Sequence, residues 1–594
     1  MEQFLAPSIQ QLASDAVAFA FRHGLLWYRI PAVAASLLLL LATALGQGPK
    51  HDDAAARLWR SDLLYLLVLA LFLLALRWPV LALGDVEGDE SVAVSAALTR
   101  YLDPAYGVTL FTGSAGPLLT YPLAGLGLLG IRIDYGASKL VSLLLITASS
   151  AMLYLALRTF SEARTARVAL LPLLAFLGPG STRWTLPYCS EQWINLLVIS
   201  MIYFLLRLGQ QIGRERANLC GVGLALGSIP LVKWQGMPMA LLFVLVAVAI
   251  VARRCLRERA GLGAVAARLL PLVVLGLAPL LVWCVILWSF GGLEYFFETY
   301  FAALFAQTTS RFSSTLAERL MALPEWGVSP FPHVGRFLSM TALFWVPAAI
   351  ILCFVRRARR SSLDLALAAL YLVISAYAVL QPGGPFEHYL NLLLQPYAVL
   401  FMLIFCRLAK AAPRPALVLL AYLGLTVLLP SISYLRDAPV PVRFRPMAVR
   451  ARSLDALREL HVSGSPLIQW GWVYVYYVHT GMPWGTRTGG SHEILEPVFP
   501  DKAIFVADYV ESLESGRAPV FLDTATEGAP MYANRALYGH ERVPEIADAV
   551  RRNYFRCAEF PGARLYLHRT RYQARAEIRA WCAELAHWTP PGRI

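Results

Sequence analysis

The stretch of this sequence best suited to chemistry is an acidic loop that reads Gly84-Asp85-Val86-Glu87-Gly88-Asp89-Glu90. Its four carboxylates directly follow the apolar run 63–83, and charge at that density beside a membrane span indicates a site. A carboxylate there can act as a general base or bind a divalent cation. Two interpretations stay open: Asp89 caps a helix that begins near Ser91, or Asp89 and Glu90 form a reactive pair.

Composition shows what surrounds this loop. Apolar residues make up 58% of the 594 residues and charged residues 15%, and the mean hydropathy is +0.56, as in polytopic membrane proteins. The net charge of +14 comes from short basic clusters between apolar runs, so no nucleic-acid partner is indicated. The first residues lack the pattern of a cleaved signal, and we expect the N-terminus to be retained.

Twelve apolar runs have about the length needed to cross some 30 Å of hydrocarbon, which predicts an α-helical polytopic protein with about twelve transmembrane helices. The runs are 24–46, 62–83, 137–158, 166–181, 190–207, 217–231, 235–252, 269–290, 337–355, 362–381, 388–407 and 415–433.

The basic clusters fall in every second connection between these runs, which makes those connections cytoplasmic. The clusters lie at 50–60, 158–167, 207–216, 253–259, 356–360 and 407–414. The acidic loop and everything after about residue 433 then face the periplasm or exterior from the inner (plasma) membrane. Segment 116–130 is expected to lie in the outer interface, because a span there would place the cluster around Arg164 outside.

A change in composition near residue 434 predicts a second part of the chain. Apolar stretches that begin at Trp470, Lys502 and Ala518 predict short buried strands, so we expect an extracytoplasmic α/β domain. The expected division is 1–61 with one extra helix, 62–433 as the transmembrane domain with outer loop 84–136, and 434–594 as the soluble domain. Cys557 and Cys582 either form a disulfide or remain two buried thiols.

The order of these features resembles the GT-C superfamily of membrane glycosyltransferases, especially the group of aminoarabinose transferases and protein O-mannosyltransferases. The local motifs are Asp89-Glu90, Gly116-Pro117-Leu118-Leu119-Thr120-Tyr121 and, more loosely, Ser138-Lys139-Leu140. The resemblance covers about 62–433 in layout. It implies transfer of a sugar from a polyprenyl-phosphate donor, which lies among the membrane lipids, to a glycan, lipid or protein acceptor at the outer face. The transfer inverts the configuration at the anomeric carbon.

Inverting transfer needs a carboxylate that takes the proton of the acceptor hydroxyl, and we assign that role to Asp89. Glu90 points along another side of the same helix and is expected to orient a partner or hold substrate. Asp85 and Tyr121 are expected to contact the substrate. The acidic loop could instead bind a divalent metal, although its oxygen ligands have no histidine nearby in the sequence; no cofactor is otherwise indicated.

The departing phosphate needs fixed cationic or amide partners. Lys233 is a lone ammonium between two apolar runs and is the first candidate, with a snorkelling lysine at a helix end as the alternative. Arg183 is a weaker candidate for the same phosphate. His388, followed by Tyr389, can donate to phosphate or acceptor, although interface histidines are also structural. Glu191 is either a ligand-binding acid or a helix N-terminal residue.

Two other classes of function compete with an enzyme. A transporter or lipid flippase needs charges buried within spans along a common path, whereas the notable charges here gather at the outer ends. A non-catalytic partner in cell-envelope assembly is the third possibility. Replacement of Asp89 separates the first hypothesis from the other two.

Overall fold

The computed structural model describes most of the chain, with gaps. The described residues are 8–22, 26–44, 60–178, 187–303, 315, 317–318, 321, 332–354, 362–381, 387–412, 414–429, 451–460, 464–496, 502–527, 529 and 531–586. The predicted domain boundary near residue 434 and the candidate Arg183 lie outside these residues.

The first part of the chain is helical. Its helices are α1 (Ile9–Arg22), α2 (Leu26–Ala44), α3 (Arg60–Arg77), α4 (Gly88–Leu102), α5 (Pro104–Val108), α6 (Tyr121–Leu128), α7 (Tyr135–Arg158), α8 (Ala163–Leu177), α9 (Ser190–Gly209), α10 (Glu215–Ser228), α11 (Met237–Arg257), α12 (Leu262–Ser289), α13 (Leu293–Phe296), α14 (Pro332–Phe354), α15 (Ser362–Leu380), α16 (Asn391–Ala411) and α17 (Pro415–Leu423).

Within the described residues, seven helices are long and apolar enough to cross a membrane. They are Arg60–Ala82, Tyr135–Arg158, Ser190–Gly209, Trp234–Arg257, Leu262–Ser289, Leu363–Leu380 and His388–Ala411. The other five predicted spans fall on α2, α8, α10, α14 and α17, which are helical but short or bounded by residues outside the description. The polytopic α-helical fold is therefore confirmed, and the count of twelve stays a prediction.

The breaks between helices position the polar residues. Pro79 lacks the N–H that would continue α3, and the chain turns through Trp78–Ala82 into the acidic loop. A similar break separates α10 from α11, where two short turns, Ile229–Leu231 and Trp234–Gly236, flank Lys233. Breaks of this kind free side chains and backbone groups at one end of the bundle.

The remaining part of the chain carries the strands. Its elements are α18 (Ala451–Glu459), β1 (Leu467–Trp470), α19 (Val475–Thr480), α20 (His492–Leu495), α21 (Ala503–Glu514), β2 (Val520–Asp523), α22 (Arg535–Tyr538), α23 (Pro544–Asn553), β3 (Tyr554–Phe560), β4 (Ala563–His568), α24 (Arg569–Tyr572) and α25 (Ala576–Ala586).

The strands form one mixed sheet in the order β1-β2-β4-β3. β1 is parallel to β2, with Leu467 opposite Val520, and β4 is antiparallel to both β2 and β3. Cys557 in β3 is bonded to Cys582 in α25, so the disulfide alternative is the one adopted. The predicted α/β character of this part is confirmed.

Two of the three predicted strands need correction. The stretch from Trp470 contributes only its first residue to β1, since the chain turns and forms α19, and the stretch from Lys502 forms helix α21. The buried residues Phe505, Tyr509 and Leu513 recur every four positions, which is a helical period. A short apolar run does not distinguish a strand from a buried helix.

The C-terminal part docks on α4 and the residues after it. The backbone N–H of Trp484 donates to Thr99 Oγ1 at 3.0 Å, and the N–H of Phe111 donates to the carbonyl of Arg487 at 2.9 Å. Apolar residues of α4 share one buried core with those around Trp484. The acidic loop, at the start of α4, is thereby held between the membrane helices and the C-terminal part.

Candidate active site

A cavity opens where the acidic loop, the helix breaks and the C-terminal part meet. Its volume is about 240 Å³, far more than the roughly 10–15 Å³ that holds one water. The polar and aromatic residues from the membrane part that line it include Glu87, Asp89, Glu191, Lys233, His388 and Tyr389. A second set comes from the C-terminal part: Trp472, Tyr474, His492, Glu493 and Met531.

The four carboxylates of the acidic loop divide into two pairs. Glu87 and Asp89 line the cavity, and the side chain of Asp89 is 51% exposed. Asp85 and Glu90 are buried away from it. The predicted reactive pair Asp89-Glu90 is thus split, with only Asp89 placed to reach a substrate.

Glu90 belongs to a buried cluster that we call the anchor, formed by Glu90, Ser138, Lys139 and the backbone N–H of Tyr188. Lys139 Nζ is 2.9 Å from Glu90 Oε2, Ser138 Oγ donates to Oε1 at 2.6 Å, and the Tyr188 N–H donates to Oε1 at 3.2 Å. Lys139 also donates to the carbonyl of Gly84 at 2.9 Å. One lysine therefore holds both ends of the acidic loop.

Asp85 has a similar structural environment. Its Oδ1 accepts from Ser91 Oγ at 2.9 Å, and Ser91 lies 2.8 Å from the hydroxyl of Tyr135. Burial raises the pKa of Asp85 to about 7, against the hydrogen bond from Ser91. Asp85 does not line the cavity, because its side chain faces α4 and α7, so the structure gives no support to its expected contact with substrate.

The capping interpretation of Asp89 is wrong. Helix α4 begins at Gly88, its N-cap is Glu87 with no side-chain capping bond, and Asp89 lies inside the first turn. An acid at that position is favoured by the helix dipole, and its side chain remains available to the cavity.

His388 joins the two carboxylates that face the cavity. Its Nδ1 is 2.6 Å from Glu87 Oε1, and its Nε2 is 3.4 Å from Asp89 Oδ2. Glu87 Oε2 is buried and has no hydrogen-bond partner among the described residues. The expectation that no histidine is near the acidic loop holds only along the sequence, since folding brings His388 to it. Two carboxylates and an imidazole within 4.8 Å fit a divalent cation.

Lys233 forms a second buried acid–lysine pair in the cavity wall. Its Nζ is 2.6 Å from Glu191 Oε1 and 4.3 Å from the centre of the Tyr389 ring. Burial disfavours the charged lysine, but Glu191 outweighs that effect and the pKa of Lys233 is raised. The ammonium therefore points at a carboxylate in the site and does not snorkel to solvent.

Tyr121 lies elsewhere. Its hydroxyl accepts from Arg100 Nη1 at 3.3 Å, and its ring packs edge-on against Trp283. It does not line the cavity, so its expected contact with substrate is not visible.

Sequence reasoning missed the residues from the C-terminal part. Trp472 packs on the acidic loop so closely that a Cβ added at Gly88 would lie 2.2 Å from its ring. The rings of Trp472 and His492 are 6.1 Å apart, and Glu493 follows His492. These residues have no motif spacing to reveal them, and only the docking of the C-terminal part brings them to Asp89.

No protein-family model and no curated protein sequence matches the chain. Among solved structures, it is similar to ArnT from Cupriavidus metallidurans bound to undecaprenyl phosphate, with 14% identity, a TM-score of 0.48 and coverage of 85% of this chain and 97% of that one. It is also similar to the Archaeoglobus fulgidus oligosaccharyltransferase in complex with zinc and sulfate, with 13% identity, a TM-score of 0.39 and coverage of 90% and 73%. Because both scores are low, we base the functional argument on the site.

Proposed function

We propose that this protein is a membrane glycosyltransferase that moves a sugar from a polyprenyl-phosphate donor to a hydroxyl of a cell-envelope acceptor. The observation that carries the proposal is one cavity that combines a half-exposed carboxylate, Asp89, with two cationic partners for phosphate, Lys233 and His388. The cavity lies at the ends of apolar helices, where a lipid-linked donor can present its headgroup while its chain stays in the bilayer.

In the proposed reaction, Asp89 accepts the proton of the acceptor hydroxyl as that oxygen bonds to the anomeric carbon. The bond from this carbon to the phosphate oxygen breaks on the opposite face, and its electron pair leaves with the phosphate. The products are an inverted glycoside, polyprenyl phosphate and a protonated Asp89, which then releases its proton to water.

Lys233 and His388 stabilise the negative charge that grows on the phosphate. A fixed ammonium and imidazole need no reorganisation when that charge develops, which is how such groups lower a barrier. Glu191 holds Lys233 in place through the 2.6 Å contact, so we assign it as a positioning residue. A divalent cation, if one binds, would be held by Glu87, Asp89 and His388 and would supply further positive charge to the phosphate.

A transporter is the less favoured function. A second cavity among the described helices is lined by Ser150, Gln192, Asn195 and Asn391 with their apolar neighbours; its volume is about 50 Å³, and no charged side chain lines it. It is too small for a sugar headgroup and offers no path of charges.

An outward-facing site is part of the proposal. The basic clusters in alternate connections and the disulfide between Cys557 and Cys582 both support it, because disulfides persist on the oxidising side of a membrane. A cysteine placed at exposed Arg257 should react with an impermeant maleimide only after the cells are opened, whereas one at exposed Ser515 should react in intact cells. Labelling in the reverse order would place the cavity in the cytoplasm and reject this donor.

The central experiment is incubation of the purified protein with a panel of polyprenyl-phosphate hexoses and pentoses, together with glycan, lipid and peptide acceptors, scored for release of polyprenyl phosphate. The proposal expects one donor to be consumed, with an inverted product, and consumption to disappear in Asp89→Asn. If no donor is consumed by folded protein, or the variant is as active as the wild type, the proposed function is wrong.

A further inference from the structure

The reaction above leaves unused the five cavity residues of the C-terminal part, which we call the C-terminal wall: Trp472, Tyr474, His492, Glu493 and Met531. Among the described residues of this wall there is no lysine or arginine. The cationic partners for phosphate, Lys233 and His388, both come from the membrane part. The two walls of one cavity therefore suit different chemical groups.

Glu493 is the polar centre of this wall. Its side chain is buried, with 3% of the residue exposed, and its Oε2 has no hydrogen-bond partner within the described part of the chain. Burial raises the pKa of Glu493 to about 8, so at neutral pH it is mainly a neutral carboxyl that can both donate and accept. Buried polar atoms are almost always satisfied, and one that lines a cavity without a partner indicates a ligand group.

Trp472 places this wall next to the proposed base. Its ring is half-buried and rests on the backbone of Gly88, where a Cβ would come within 2.2 Å, and Asp89 is the next residue. A ligand packed against Trp472 would thus lie beside the carboxylate that must reach its hydroxyl.

We infer that the C-terminal wall is the acceptor subsite of the proposed transferase, and that it takes an uncharged sugar ring packed on Trp472 and hydrogen-bonded to Glu493. This inference rests on the proposed function and narrows its acceptor to a glycan. A sugar hydroxyl donates and accepts at once, which matches the neutral carboxyl, and a sugar ring has an apolar face for the indole.

The same wall disfavours other acceptors. A phosphorylated headgroup would find no lysine or arginine among the five wall residues, and a charge buried without an opposite partner raises the free energy of the complex. A serine or threonine of a peptide offers one hydroxyl, but it has no ring that could pack against the half-buried indole of Trp472.

The test measures binding of methyl hexosides and methyl pentosides to the full-length protein by saturation-transfer NMR, with a glucose phosphate and a threonine peptide as competing probes. We expect a methyl glycoside to bind best. Trp472→Ala and Glu493→Ala should weaken it about tenfold or more, since a buried group is left unpaired, and Glu493→Gln should stay near wild type because its amide still donates and accepts. The KM for the lipid donor should not change in any of them.

Trp581→Phe and Glu511→Gln, on the same part of the chain but outside the cavity, serve as matched controls. Unchanged glycoside binding in Trp472→Ala and Glu493→Ala would overturn the inference, as would preferred binding of the sugar phosphate or the peptide. Glycoside binding that depends on Trp472 and Glu493 in a protein that consumes no lipid donor would keep the sugar site and reject the transferase.

Discussion

Among the residues that the structure describes, two buried acid–lysine pairs lie at the same end of the helix bundle, and they differ in what surrounds them. In the anchor, Glu90 contacts Lys139, a hydroxyl and a backbone N–H, and both charged side chains are fully buried. In the cavity, Glu191 pairs with Lys233, which also faces the ring of Tyr389 and open space. The first pair is saturated by the protein, whereas the second can still take a ligand.

This difference shows that residue type and spacing do not decide which acid is reactive. Asp89 and Glu90 are neighbours with similar chemistry. The side chain of Asp89 is half exposed in the cavity, whereas that of Glu90 is fully buried against Lys139 of α7. The anchor fixes the loop so that Asp89 presents its carboxylate, and the predictions below test that division of roles.

The largest effect is expected for Asp89→Asn. Asparagine keeps the shape of the side chain but cannot accept the proton of the acceptor, so turnover should fall by about 10²–10⁴-fold. Donor affinity and the unfolding midpoint should stay near wild type, which single-turnover assays and thermal unfolding in detergent would establish. If Asp89→Asn keeps more than about a tenth of wild-type turnover while Glu87→Gln is inactive, the general base is Glu87.

Breaking the anchor should act on stability. Lys139→Met leaves the carboxylate of Glu90 buried without its cation, and removal of one partner of a buried pair costs about 3–5 kcal/mol. The unfolding midpoint should therefore drop well below that of Asp89→Asn. Adding Glu90→Gln to Lys139→Met removes the uncompensated charge and should restore part of the midpoint; a double variant no more stable than the single one would contradict an ion-pair role.

The pair in the cavity should respond to substitution through the donor. Lys233→Ala removes one charge-assisted partner of the phosphate, worth about 1–3 kcal/mol, so donor affinity and turnover should both decline. Lys233→Ala also removes the length of the side chain, so Lys233→Met, which keeps most of that length without the charge, is the control for packing. Unchanged donor KM and turnover in both variants would assign Lys233 to a purely structural role like that of Lys139.

The smallest effect is expected at Glu493. Unlike the buried Glu90 with its several partners, Glu493 has no hydrogen-bond partner for Oε2 among the residues that the structure describes. Burial raises the pKa of Glu493 to about 8, so the unfolded chain loses this proton at a lower pH than the folded protein does. Ionisation in the unfolded chain therefore lowers the free energy of unfolding as the pH rises toward 8. Glu493→Gln should match wild type at pH 5 and unfold at a higher temperature at pH 8.

The titratable groups around Glu493 include its neighbour His492, Glu496, Lys502 and the phenols of Tyr295 and Tyr474. They are present in both proteins, so their contributions cancel in the difference between the two midpoints. A constant difference from pH 5 to pH 8 would mean that Glu493 has an ordinary pKa.

Apolar runs and basic clusters were enough to predict the helical membrane fold, because hydropathy acts over some twenty residues and survives local errors. Lys233, Glu191 and His388 could be chosen because the first is a lone charge between two apolar runs and the other two open predicted spans. The structural roles of Asp85 and Glu90 could not be predicted from the sequence, because their burial against α7 depends on tertiary contacts. The sequence could not place Trp472 and Glu493 in the site, because about 380 to 400 residues separate them from the acidic loop.

The contact between Gly88 and Trp472 also sets an order of events during synthesis. The acidic loop leaves the ribosome about 380 residues before Trp472 is made, which at roughly 5–20 residues per second is an interval of about 20–80 s. During that time the cavity lacks its C-terminal wall. Thr99 of α4 lacks the N–H of Trp484 that donates to it, and the N–H of Phe111 lacks the carbonyl of Arg487 that accepts from it. The nascent protein therefore inserts its helices with the site incomplete, and the site is completed only when the last quarter of the chain folds.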